Sequence, residues 1–304
     1  MVSRRSKDLN LRDLKYLVAV AEHRHFGRAA EACFVSQPTL STQLKKLEET
    51  LGVTLIERSN RQVMLAAEGE KIVEQAQRIL AEVNILTAMS EQIREPMGGD
   101  LRLGVIPTIA PYLLPKILGP IGKDYPKLKI NLTEGQTAQI LRMLKQGELD
   151  AVILALPVNE DNVEEFELYD ESFLLAVSSD HPKANRSLAD TKALEGENVL
   201  LLEDGHCLRD QALAICQTNG GVESSGYSAT SLETLRELVS AGLGVTLMPE
   251  LATQCSGDSA ASVKYIPFSD QSFSRKVGLC WRKSSTRGQL LNEFSLSLGK
   301  YLAT

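Results

Sequence analysis

From Leu11 to Ala21 the apolar residues Leu11, Leu14, Leu17, Val18 and Ala21 recur with a helical period. A second short helix fits Arg28–Cys33, whose alanines permit close packing, and Phe34-Val35 make a turn. Ser36 then reads as an N-cap, with Pro38 in the first turn where its missing N–H is not needed. Leu40, Leu44, Leu47 and Leu51 carry this third helix to Gly52, a residue suited to the left-handed stop. Its opposite face presents Gln37, Thr39, Ser41, Thr42, Gln43, Lys45 and Lys46. Val53 to Leu65 reads as a small two-stranded wing with Arg58 and Arg61 near its tip. From Ala67 to Glu95, Ile72, Ala76, Ile79, Val83, Leu86 and Ile93 step by four and three, with Ser90 on the missing beat. That pattern predicts a long helix that pairs with a second copy, or else packs on its own body. Pro96-Met97-Gly98-Gly99 breaks it.

Beyond this hinge the pattern changes. Short apolar runs alternate with amphipathic stretches: strands at Leu101–Ile106, Leu128–Leu132 and Ala151–Leu156, helices at Pro111–Tyr125 and Thr137–Gln146. This βαβ rhythm predicts a parallel sheet. Phe173–Val177 crosses into a second, similar lobe holding Val199–Leu202, a helix from Ser231 to Ala241 and a strand at Gly244–Met248. Val277–Trp281 and the last helix return to the first lobe. The expected division is therefore a head over 1–66, a linker helix over 67–96, and a two-lobed α/β body over 97–304. Lobe I takes about 97–170 and 271–304, and lobe II about 171–270.

Composition sharpens this division. With 304 residues the chain is long enough for two or three domains, and its 43% hydrophobic and 24% charged content is that of a globular protein. No apolar run reaches the length of a membrane span, and no apolar segment follows the basic first residues, so a cytoplasmic protein is expected. The net charge of -6 divides unevenly, residues 1–61 carrying a net +4 and the remainder -10. A basic head on an acidic body fits a double-stranded-DNA-binding module attached to something else. A polar helix face preceded by a helix and a tight turn is how a recognition helix meets the major groove. The candidate contacts are Ser36, Gln37, Pro38, Thr39, Ser41, Thr42, Gln43, Lys45, Lys46, Arg58 and Arg61.

The five cysteines, Cys33, Cys207, Cys216, Cys255 and Cys280, form no CxxC pair and no zinc-like spacing, so no metal is expected. Two of them fall in Glu203–Cys216. From Leu208 this stretch reads as a helix, with Leu208, Ala212, Ile215 and Cys216 on one face and Asp204 as the N-cap. Cys207 then lies in the first turn, where backbone N–H groups favour a thiolate. His206 and Arg209 add positive charge there, while Glu203, Asp204 and Asp210 oppose it. On one continuous helix the nine-residue spacing sets the Cα atoms roughly 13.5 Å apart. A disulfide needs about 4.4–6.8 Å. Either the two thiols are unrelated half-buried groups, or the segment is not helical, or oxidation must dismantle the helix.

Ala29-Ala30, Val35-Ser36-Gln37-Pro38-Thr39-Leu40-Ser41, Leu47-Glu48 and Leu51-Gly52-Val53 resemble the winged helix-turn-helix of LysR-type transcriptional regulators. The chain departs from that pattern at Ala66, where the family usually has a threonine that caps the linker helix. The body is similar to the family's periplasmic-binding-protein-like domain. Gly104–Thr108, Pro111–Pro115, Glu203–Cys216 and Ala229–Leu235 resemble in particular its hydrogen-peroxide-sensing members. That resemblance implies a transcriptional activator rather than an enzyme, with no cofactor and with hydrogen peroxide as its signal. It makes Cys207 the peroxidatic thiol and Cys216 the resolving thiol. Thr108, Thr137, His206 and Arg275 then form the peroxide pocket, where the threonines are otherwise plain helix N-caps and His206 a structural hydrogen-bonding residue. It implies RNA polymerase as a partner, a homodimer through the linker helix and a homotetramer. Cys33, Cys255 and Cys280 are left as structural. The competing readings are a regulator that binds a small organic effector between the lobes, and a thiol enzyme.

Overall fold

The computed structural model describes residues 9–58, 63–94, 98–254, 262–270 and 273–302. The chain separates into two compact units, one running to Ala88 and including Gln146–Glu148, the other made of Met89–Lys145 and the chain from Leu149 onward.

The first unit opens with α1 (Leu11–His23), α2 (Phe26–Ala32) and α3 (Gln37–Leu51). The Asn10 side chain caps α1 by accepting from the Asp13 N–H at 3.0 Å. Ser36 caps α3, accepting from the Thr39 N–H at 3.3 Å, and Gly52 ends that helix at φ 72°. The apolar stripes of the three helices meet in one core of Leu14, Leu17, Val20, Ala29, Leu40, Leu44 and Leu47. The wing is β1 (Ile56–Arg58) paired antiparallel with β2 (Val63–Leu65). Glu48 ties it to α3, its Oε1 accepting from the N–H groups of Leu55 at 2.8 Å and Ile56 at 3.1 Å.

The linker helix α4 (Ala67–Arg94) starts without the threonine. The Ala66 N–H donates instead to the Leu55 carbonyl at 3.0 Å, and Glu68 and Glu70 occupy the first turn, where the helix dipole favours acids. Gly69 is required here: a Cβ would lie 2.2 Å from the Leu55 carbonyl oxygen. The helix buries Val73 and Ala76 on the head, with Ile72 and Leu80 packed beside them. Ile79 and Leu86 stay 37% and 67% exposed. The apolar stripe read from the sequence is therefore divided, part covered by the head and part open. The side chains of Ser90 and Ile93 lie outside the described residues.

In the second unit, β3 (Gly99–Val105), α5 (Ala110–Asp124), β4 (Leu128–Glu134), α6 (Thr137–Lys145) and β5 (Ala151–Leu156) form the expected βαβ units, with β3 parallel to both β4 and β5. The sheet is not wholly parallel, however. The long β6 (Val163–Ser178) and β11 (Ser274–Arg282) extend it, β11 lying between β5 and β6 and antiparallel to both, because the strand returning from the other lobe enters the sheet from its opposite end. β6 serves both lobes: Ser172 pairs with Ser274 of β11, while Phe173 pairs with Pro249. Lobe II holds β7 (Asn198–Leu202), α7 (Cys207–Thr218), β8 (Val222–Ala229), α8 (Leu232–Ser240), β9 (Thr246–Pro249), α9 (Glu250–Thr253) and β10 (Val263–Pro267). The closing helix α10 (Gly288–Leu302) packs back on lobe I, where Leu291, Phe294 and Leu298 join its core.

Candidate redox site and nucleic-acid interface

α7 runs unbroken from Cys207 to Thr218. Its apolar face sends Leu208, Ala212 and Cys216 into the lobe II core. Cys207 is half-buried and packs instead against the core of lobe I. Both thiols are free. Nine residues of continuous helix put their Cα atoms roughly 13.5 Å apart, well beyond disulfide range. Cys216 is 1% exposed, and burial, aided by the nearby Glu223 carboxylate, pushes its thiol up to about 11. Cys280 lies buried in β11 and is pushed up to about 12 by burial, and Cys33 is half-buried at the end of α2. Cys255 is outside the described residues.

The start of α7 differs from the sequence reading. The cap position belongs to His206, not Asp204, and no side chain makes the capping bond. Asp204 turns to Arg209 at 2.8 Å, and Glu223 takes the same guanidinium at 2.7 Å. Arg209 also donates to the Leu202 carbonyl at 3.1 Å. Its charge is thus held by two carboxylates and is not an open cation beside Cys207. His206 is buried. Gly205 sits at φ 95°, a backbone conformation that favours glycine, and a Cβ there would be 2.5 Å from Oε1 of the Gln136 side chain, at the start of α6.

That contact brings in the threonines. Val105 and Glu134 are register partners on the parallel strands β3 and β4, so Thr108 and Thr137, each three residues on, leave the carboxyl edge side by side. This is where ligands meet such sheets. Thr137 opens α6, and its Oγ1 is buried with no hydrogen-bond partner among the described residues, as is Gln211 Oε1, one turn beyond Cys207 on α7. Thr108 is buried in the turn before α5. Arg275, on β11, reaches it twice, Nη1 donating to Thr108 Oγ1 at 3.0 Å and Nη2 to the Thr108 carbonyl at 3.1 Å. The Thr108 hydroxyl accepts this bond and so keeps its own hydrogen to donate elsewhere.

Glu171 and Gln211 were not among the residues read from the sequence. Glu171 is the register partner of Arg275 across β6 and β11, and its Oε2 accepts from Arg275 Nε at 2.7 Å. A polar pocket of about 490 Å³ is lined by Glu203, Asp204, Arg209, Glu223, Tyr227 and Ser228, and by neither cysteine. No group of three or more His, Cys, Asp or Glu side chains among the described residues could hold a metal ion. No helix among them is long and apolar enough to cross a membrane.

On the head, Ser36, Gln37, Pro38, Thr39, Thr42, Lys45 and Lys46 are exposed along one side of α3, with Ser41 and Gln43 half-buried among them. Ser36 and Thr39 share a hydroxyl–hydroxyl bond at 2.8 Å. Arg58 ends β1, whereas Arg61 lies outside the described residues.

Residues 11–70 match the family described as bacterial regulatory helix-turn-helix protein, LysR family, and residues 94–302 match the LysR substrate binding domain. The chain belongs to the LysR family. Among LysR relatives, it is 49% identical over 277 residues to the DNA-binding transcriptional dual regulator OxyR of Escherichia coli K12, covering 91% of this chain and 90% of that protein. The solved full-length OxyR cysteine variant from Pseudomonas aeruginosa is similar with a TM-score of 0.72 and 38% identity, covering 95% of this chain and 94% of that one. A hydrogen-peroxide-bound cysteine-to-serine mutant of Corynebacterium glutamicum OxyR is similar with a TM-score of 0.65 and 36% identity, covering 97% and 92%. This LysR chain therefore shares its architecture, over nearly its whole length, with full-length regulators of that name.

Proposed function

We propose that this chain is a hydrogen-peroxide-responsive transcriptional regulator in which Cys207 is the sensing thiol and Cys216 its resolving partner. The observation that carries the reading is α7 itself, which begins at one cysteine at the lobe boundary and buries the other in the lobe II core. The Cys207 thiolate attacks one oxygen of peroxide. An S–O bond forms, the O–O bond breaks, and the departing hydroxide takes a proton to leave as water. The Cys216 sulfur then attacks the sulfenic sulfur. An S–S bond forms, the S–O bond breaks, and the hydroxyl leaves with the thiol proton as a second water. Two thiols are oxidised and one peroxide is reduced.

The second step requires α7 to come apart, so oxidation is a conformational event. Thr108, Thr137, His206 and Arg275 line the reacting oxygens. The unpartnered Thr137 Oγ1 supports a small polar ligand there, since a buried hydroxyl without a partner is costly. In this reading residues 1–66 bind promoter DNA through α3 and the wing, and 67–96 pair two copies. Residues 97–304 sense peroxide. The open Ile79 and Leu86 side chains on α4 support the pairing. A tetramer acting with RNA polymerase in the cytoplasm follows from the same reading.

A stoichiometric pulse of peroxide followed by disulfide mapping tests it. A Cys207–Cys216 bridge is expected, together with a changed DNA footprint that Cys207→Ser loses. Absence of that bridge, or an oxidative footprint change that survives Cys207→Ser, would overturn the reading in favour of an organic effector.

A further inference from the structure

Arg275 is a guanidinium with no exposed side-chain surface, held at the boundary of the two lobes. A charge so placed requires a counter-charge and filled hydrogen-bonding positions. Glu171, itself 3% exposed, supplies both. Its Oε2 lies 2.7 Å from Nε and 2.7 Å from Nη2, gripping one edge of the planar group. Its Oε1 accepts from the Leu251 N–H at 3.2 Å, anchoring the carboxylate to lobe II. A guanidinium gripped along one edge cannot rotate about its terminal bond. Nη1 and Nη2 are thereby aimed at Thr108, where they meet Oγ1 and the carbonyl. The chain of bonds thus runs from lobe II through Glu171 and Arg275 to a threonine hydroxyl on the carboxyl edge of β3.

We propose that Glu171 is a positioning residue for the oxidation of Cys207: by fixing the plane of Arg275 it orients the Thr108 hydroxyl toward the reacting oxygens. This rests on the reading of Cys207 as the peroxide-sensing thiol. Glu171 touches neither peroxide nor thiol, and acts through Arg275 and Thr108. Its charge argues against a purely electrostatic role. An acid placed there weakens the positive field of Arg275, so if field alone mattered, removing it would make the thiol more reactive.

The test compares two reactions of Cys207 in the full-length reduced protein, peroxide oxidation and alkylation by iodoacetamide, each followed by mass spectrometry of its peptide. Alkylation needs the thiolate but no oriented hydroxyl. For Glu171→Gln the peroxide rate is expected to fall about tenfold or more, since small misplacements of reacting groups cost rate steeply. The iodoacetamide rate should be unchanged or raised. Glu171→Asp should recover part of the peroxide rate. In a double-mutant cycle, adding Glu171→Gln to Thr108→Ala should cost little further, because both remove one oriented hydroxyl.

An unchanged peroxide rate, losses that multiply in the cycle, or equal slowing of both reactions would overturn the proposal. If Glu171→Gln does not fold, Glu171→Asp carries the same comparison, with a partial loss confined to the peroxide reaction expected and an unchanged rate overturning it. Failure of the functional reading looks different: the unsubstituted protein's Cys207 would then react with peroxide no faster than a simple thiol.

Discussion

If the disulfide requires α7 to open, loosening the helix between the two cysteines should shift the redox equilibrium by a calculable amount. Ala214 suits this perturbation. It lies on α7 between Cys207 and Cys216, and its side chain is exposed, so no core contact is lost on substitution. Its carbonyl accepts from the Thr218 hydroxyl at 2.9 Å, a bond to the backbone that any residue retains. Glycine in an exposed helix interior costs about 1 kcal/mol relative to alanine. That penalty falls on the reduced, helical form and vanishes where the segment is no longer helical. For a two-electron couple about 1.4 kcal/mol corresponds to 30 mV, so Ala214→Gly should make the potential more negative by roughly 20 mV. If opening precedes attack by Cys216, disulfide formation from the sulfenic acid should also accelerate by up to about fivefold. The potential is read by equilibrating the protein in a defined thiol–disulfide buffer, alkylating, and measuring the mass distribution. Glycine at Leu296, exposed on α10 and remote from the segment that changes, should leave the potential where it is. A potential unmoved by Ala214→Gly, or moved to more positive values, would show that the helix does not open on oxidation.

Two other expectations follow from the same geometry. The buried Cys216 thiol, with a value of about 11 against an ordinary 9.0, favours the neutral form in the fold. Its stabilisation is complete below pH 9 and is lost as the pH rises toward 11, by roughly 2–3 kcal/mol. Denaturant melts of reduced protein should fall over that window more steeply than melts of Cys216→Ala, and parallel curves would contradict the burial argument. On the head, Lys45 is exposed on the polar side of α3, where it would meet a phosphate. Lys45→Ala should weaken DNA binding on all sequences and lower the salt slope by about 0.9; an unaltered slope would remove Lys45 from the interface.

Much of the molecule was legible because its cues are local. The Ser36 cap, Pro38, the leucines of α3 and Gly52 each act within a few residues, and all took the expected form. The two cysteines were legible as a pair only through spacing and resemblance. The start of α7 was not. Asp204 has the chemistry of a cap, but the left-handed Gly205 intervenes, and a cation is available at Arg209. A charged bond at 2.8 Å drew the carboxylate away from the helix end. The linker stripe was read as one surface because periodicity shows which residues are apolar and not which neighbour covers them. The head covers Val73 and Ala76 while Ile79 and Leu86 remain open.

Glu171 was out of reach for a different reason. Nothing near Asp170-Glu171-Ser172 marks that acid as special, and its partner lies 104 positions further along the chain. The pairing is a product of register. β6 and β11 run antiparallel with Arg275 opposite Glu171, and a bulge between Val277 and Gly278 separates this stretch from the rest of the ladder. A slip of β11 by one residue would turn Arg275 to the other face of the sheet, away from Glu171, because successive side chains alternate. Arg275 would then lose both its contacts to Thr108. The residues that place the pocket are thus not only those that face it. The strand pairing on the lobe I side of the bulge, from Gly278 opposite Glu167 to Arg282 opposite Val163, sets the phase in which Arg275 arrives. That makes the antiparallel pairing of β6 and β11, which lies beyond the βαβ units that periodicity read as a parallel sheet, the part on which the Arg275–Thr108 contact depends.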